Sequence, residues 1–151
     1  MIERVFPKVG CALVLRSAQN INLEVYDCLK SIQCDKTRTR RACEGTHTLY
    51  DLDDDGRLSV WKGTEYIIEF FPSSCTSLKK AMDVVFRNTE LYLAMIRQMK
   101  NRYQLRVALI FSIVMDKENE YPYPEMTITR KMMGYINAIG AEIQIVMEEA
   151  D

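Results

Sequence analysis

The chain predicts an α+β fold, a single mixed and mostly antiparallel sheet of about five to six strands with two to three helices packed on it. Three observations carry that expectation. β-rich runs recur along the chain, as CALVLRS (11–17), TEYIIEFF (64–71) and QLRVALIFSIV (104–114). A helical stripe of Leu78, Met82, Val85, Tyr92, Ile96 and Met99 lies between the last two. Asp55-Gly56 stands between two alternating runs, THTLYDL and RLSVWKG, and this dipeptide signals a hairpin because both residues accept positive φ.

Taken in order, the elements read β-α-β-β-β-α-β-α-β. After the first strand, Asn22 caps a helix with Val25, Leu29 and Ile32 on one face. Residues 34–46 have no apolar period and read as a charged loop. The acidic hairpin follows, and TEYIIEFF continues the meander through Gly63 until Pro72 stops it. Thr76 or Ser77 caps the long helix, which Asn88 and Thr89 loosen in its middle. QLRVALIFSIV is apolar at nearly every position beyond Arg106, the pattern of a central strand. Thr127 or Thr129 opens a helix with Met132, Ile136 and Ile139 on one face, and Gly140 closes it. In the last strand Ile143, Ile145 and Met147 alternate.

Length and composition bound the function. The 151 residues fit one domain, 1–151, with one core. A net charge of -1 and a pI of about 5.9 give no footprint for nucleic acid or an anionic membrane. The amino-terminal stretch MIERVFPKVG is charged and broken by Pro7, unlike a secretory signal. A cytoplasmic protein with reduced thiols is expected.

Several motifs invite chemistry. DLDDDGRLSVWK (51–62) follows the calcium-loop pattern up to its last place, where Lys62 replaces the bidentate glutamate. Its flanks are threonine-rich and β-branched rather than helical, so an acidic hairpin turn is favoured. Cys28-x5-Cys34-x8-Cys43-x3-His47 sets three thiols and the only histidine in zinc-ligand order. Small half-buried thiols are the simpler reading, because Cys28 falls inside a helix whose packing fixes its direction. With His47 the sole histidine and no GxSxG, P-loop or GxGxxG, no catalytic constellation is visible, and an enzyme is not expected. Trp61 suits a half-buried strand position. Tyr121 and Tyr123, interleaved with Pro122 and Pro124 in an acidic segment, suit an extended loop that offers partner contacts.

The order of these pieces resembles a family of small bacterial domains found among immunity proteins of polymorphic-toxin and contact-dependent growth-inhibition systems. The matching pieces are Leu29 with Ile32, Gly45, Trp61, the 78–99 helix and PEMTITRKMMGYINAIGAEIQI (124–145). CDKTRTR after the first helix and IQIVMEEAD at the end depart from the family's pattern. The resemblance implies a protein that binds and neutralises a cognate toxin domain inside the producing cell, and it carries over no catalytic or metal-binding residues; no cofactor or metal is expected. Many such toxins are basic nucleases, which acidic surface would steer. The partner-binding candidates are Asp53, Asp54, Asp55, Glu118, Glu120, Tyr121 and Tyr123. The alternative is a small-ligand or metal-binding module using Asp51, Asp53, Asp54 and Asp55, or the cluster of Cys28, Cys34, Cys43 and His47.

Overall fold

A computed structural model describes residues 7–41, 50–52, 55–60, 63–72, 75–115 and 126–149. The strands are β1 (Lys8–Ser17), β2 (Lys36–Arg41), β3 (Tyr50–Leu52), β4 (Leu58–Val60), β5 (Thr64–Phe70), β6 (Arg106–Met115) and β7 (Ala141–Glu149). The helices are α1 (Leu78–Thr89), α2 (Leu93–Tyr103) and α3 (Arg130–Ile139). Five strands form one mixed sheet in the order β2-β5-β1-β6-β7, so the fold is α+β as the sequence predicts. Every pairing is antiparallel except β6 with β7, which α3 joins as a parallel crossover.

Alternation within the strands sets the two faces. Val9, Cys11, Leu13 and Leu15 of β1, Tyr66, Ile68 and Phe70 of β5, and Val107, Leu109, Phe111, Ile113 and Met115 of β6 point to one side. There they meet Leu78, Ala81, Met82 and Val85 of α1, Ile96 and Met99 of α2, and Met132, Tyr135 and Ile139 of α3 in one cluster. On the opposite face Ala12, Ala108, Ile110, Ser112 and Val114 are half-buried, while Val14 and Ile67 are buried.

The helix limits have local causes. Ser77 caps α1 by accepting from the Lys80 amide at 3.2 Å, and Thr129 caps α3 by accepting from the Met132 amide at 3.2 Å. The expected long helix divides at Thr89. The Thr89 hydroxyl sits 2.7 Å from the Val85 carbonyl and Asn88 Nδ2 donates to the Val84 carbonyl at 2.8 Å. Both side chains compete for carbonyls that continuing helix would use, and a 3-10 turn over Glu90–Tyr92 separates α1 from α2. Gly140 ends α3 in the left-handed region at φ 61, as its position predicts.

Four expectations need correction. Residues 34–46 are not all loop, because Lys36–Arg41 pairs with β5 as an edge strand; exposed on both sides, it has no apolar period to betray it. The meander does not continue through Gly63. β3 and β4 form their own two-stranded ladder, while β5 pairs with β1 and β2. The helix capped by Asn22 is a 3-10 turn over Leu23–Leu29, which buries Tyr26 and Leu29. At the hairpin tip Gly56 takes a positive φ, 76, and Asp55 does not.

Candidate partner-binding surfaces

Four surface features carry chemistry, and the predicted site residues bear on two of them. The first is the acidic hairpin. Tyr50, Asp51 and Leu52 pair with Val60, Ser59 and Leu58, so strands flank the acidic turn on both sides. A calcium loop of the EF-hand kind needs helices there, so the flanks support a β-hairpin. Asp55 is exposed at its tip beside Gly56 and Arg57. Asp53, Asp54, Trp61 and Lys62 lie outside the described residues, as do Glu118, Glu120, Tyr121 and Tyr123. The segment holding the last four leaves from Met115, which pairs with Glu149 at the end of β7.

The second is an ion-pair lattice on the face opposite the helices. Glu65 of β5 lies directly between Arg16 of β1 and Arg40 of β2 in the ladder. Its carboxylate is only 1% exposed and accepts from Arg16 Nε at 2.9 Å and from Arg40 on its other side. Glu69 accepts from Arg38 at 2.8 Å, and Glu142 of β7 holds Arg106 of β6 at 3.0 Å through both oxygens. Glu65 meets its arginines directly across the ladders, whereas Glu69 and Glu142 reach theirs diagonally. The arrangement has structural work to do: it fastens β2, whose side chains are otherwise exposed, to β5.

The third is an open cleft of about 530 Å³ between the Leu23–Leu29 turn and β2. Tyr26 and Tyr66 stack in it with centroids 5.4 Å apart and planes 12° apart. Both hydroxyls are buried without a well-formed hydrogen bond, and burial raises both above the ordinary tyrosine range. Its two cations are already held, Lys30 by Asp27 at 2.7 Å and Arg38 by Glu69 at 2.8 Å.

Of the thiol cluster, Cys28 and Cys34 are described. Cys28 is exposed, with Sγ 3.4 Å from Met99 Sδ, and Cys34 is half-buried. Burial raises both thiols above the ordinary cysteine range. Cys43 and His47 lie outside the described residues. Among those described, no group of three or more His, Cys, Asp or Glu is placed to hold a metal ion, and no helix is long and apolar enough to cross a membrane.

The fourth feature was not foreseen. β7 pairs only with β6 among the described strands. Its inward alternation suggests a buried strand, yet Ile145 is 41% exposed and Met147 is 50% exposed. Lengths explain this. At 1.5 Å per residue the ten residues of α3 cover about 15 Å, whereas the nine residues of β7 run about 30 Å. The chain reverses at Gly140, so the first turn of α3 falls about halfway along the strand. Ile143 is therefore half-buried and the later positions are not covered. Val146 on the other face is also 41% exposed, and Met126, Ile128 and Met133 add exposed apolar surface before and along α3. The periodicity was readable in sequence; the shortfall of the covering helix needs both elements placed.

No protein-family model, curated protein or solved structure matches the chain significantly.

Proposed function

We propose that this chain is a binding protein that neutralises a cognate toxin domain inside the cell, with the acidic hairpin as a contact surface. One observation supports the surface most directly: the acidic turn is borne on a two-stranded ladder separate from the main sheet, with Asp55 exposed at its tip. A turn presented this way offers negative charge to a basic partner without disturbing the core. The resemblance described above supplies the partner class, a toxin domain with basic surface such as a nuclease. Glu118, Glu120, Tyr121 and Tyr123 extend the proposed contacts.

The test is rescue. The product of the reading frame upstream, if it ends in a candidate toxin domain, is induced with and without this protein. Restored growth is expected, together with co-purification of the two chains. Changing Asp53, Asp54 and Asp55 together to lysine should slow association at low salt by about tenfold or more, as read by stopped-flow. Growth that is not restored overturns the immunity reading; an unchanged association rate removes the hairpin from the interface.

A further inference from the structure

We propose that β7 is the contact between two copies of this chain, paired antiparallel about a twofold axis at Val146, so that their sheets join into one. An edge strand carries alternate N–H and C=O groups directed away from its sheet, and exposed apolar side chains beside them make it a template for another strand. Three consecutive residues of β7, Ile145, Val146 and Met147, are large, apolar and exposed.

The sequence of β7, AEIQIVMEE, selects both the occupant and the register. A twofold axis through an antiparallel pair stands perpendicular to the sheet, so each residue meets one from the same face, and one residue meets itself. Centring on Ile145 sets Glu142 opposite Glu148 twice, a like-charge pairing. Centring on Met147 sets Val146 against Glu148 and Ile145 against Glu149. Centring on Gln144 sets Glu142 against Val146 and Ala141 against Met147, so exposed apolar groups miss each other. Centring on Val146 sets Val146 against itself, Ile145 against Met147 twice, Gln144 against Glu148 twice and, at the ends of the pairing, Ile143 against Glu149 twice. This register alone buries the three exposed apolar residues against one another, and it leaves no carboxylates directly opposed. It also joins the halves of β7 that α3 does not cover, so the two helices do not compete for the same space.

The contact is independent of the hairpin proposed to meet a toxin. The excursion carrying the hairpin leaves the sheet at Arg41 and returns at Thr64, a pair on the β2–β5 ladder at the other end of the strand order. Loss of the hairpin contact therefore leaves the dimer standing, and the converse holds too.

The full chain is weighed by light scattering and sedimentation at concentrations in the tens of micromolar. Twice the chain mass of 17.6 kDa is expected, falling to the single-chain mass in Val146→Lys and Met147→Lys, with circular dichroism showing that both variants remain folded. Register is read by mild oxidation of Val146→Cys and Gln144→Cys beside wild type, whose native thiols supply the background. A covalent dimer specific to Val146→Cys supports the proposal. A monomeric wild type, a dimer that survives both lysine variants, or cross-linking through Gln144→Cys instead overturns it. An open-ended series of oligomers abolished by Arg38→Glu also overturns it, because that result assigns β7 to the β2 edge of the next copy.

Discussion

The two edges of the main sheet solve the same problem in opposite ways. β2, KTRTRR, exposes side chains on both sides, but alternate positions carry Lys36, Arg38 and Arg40. Pairing β2 with another β2 sets guanidiniums against each other, so charge closes that edge. β7 has almost the reverse composition in its middle, with Ile145, Val146 and Met147 exposed and its acids confined to Glu142, Glu148 and Glu149. Among the described residues, one edge is guarded and the other is open. The lesson is that an edge becomes an interface through what its central residues lack, namely charge, as much as through what they present.

The largest effect is expected where β2 is fastened. Glu65→Ala leaves Arg16 and Arg40 without their shared buried carboxylate and should cost roughly 2–4 kcal/mol in urea unfolding. Amide exchange should accelerate in β2 more than in β7. A loss below about half a kcal/mol would mean that the backbone ladder alone holds β2, and the guarded edge would then owe nothing to the lattice.

A smaller effect sharpens the β7 side. Tyr135 of α3, the helix that leads into β7, is buried, its hydroxyl 2.7 Å from Thr89 Oγ1 of α1. Burial pushes it from its ordinary value of 10.0 to about 12. Only the protonated hydroxyl suits the folded state, so its contribution is intact below pH 10 and is lost as pH rises toward 12. Stability should fall by on the order of 2 kcal/mol across that window. Tyr135→Phe should remove part of the decline, leaving the share of Tyr26 and Tyr66, which burial also raises. An alkaline profile identical in the phenylalanine variant would sink this assignment.

The smallest effect concerns where β7 begins. Gly140 has φ 61, and its carbonyl accepts from Lys100 Nζ at 2.7 Å. A Cβ there would meet that ammonium group, which can swing away at the loss of its hydrogen bond. Gly140→Ala should therefore cost about 1–2 kcal/mol in thermal or urea unfolding. An unchanged stability would show that the turn tolerates a side chain and that the α3–β7 reversal is not set by glycine.

Much of this was legible in the residues themselves. Periodicity placed β1, β5, β6 and β7, caps placed the starts of α1 and α3, and Gly140 marked the end of α3. Asp55-Gly56 announced the hairpin, although only Gly56 carries the positive φ. Thr89 announced the break in the long helix. These features share a cause: each depends on contacts within about four residues along the chain. The candidate contacts were less legible. Of the acidic turn, Asp55 can be placed, at an exposed tip, while the apolar edge looked like core.

What the sequence determined by itself, then, is the mixed α+β class and the kind and order of most elements, but not β2, whose residues read as loop. What only the tertiary structure decided is neighbourhood. It joined β5 to β1 and β2 rather than to β4, and set Glu65 between arginines 49 positions before it and 25 positions before it in the chain. It also placed a ten-residue helix under a nine-residue strand. That last mismatch follows from helix and strand rising by different amounts per residue. It turns Ile145 and Met147, core residues by pattern, into the open end of the sheet.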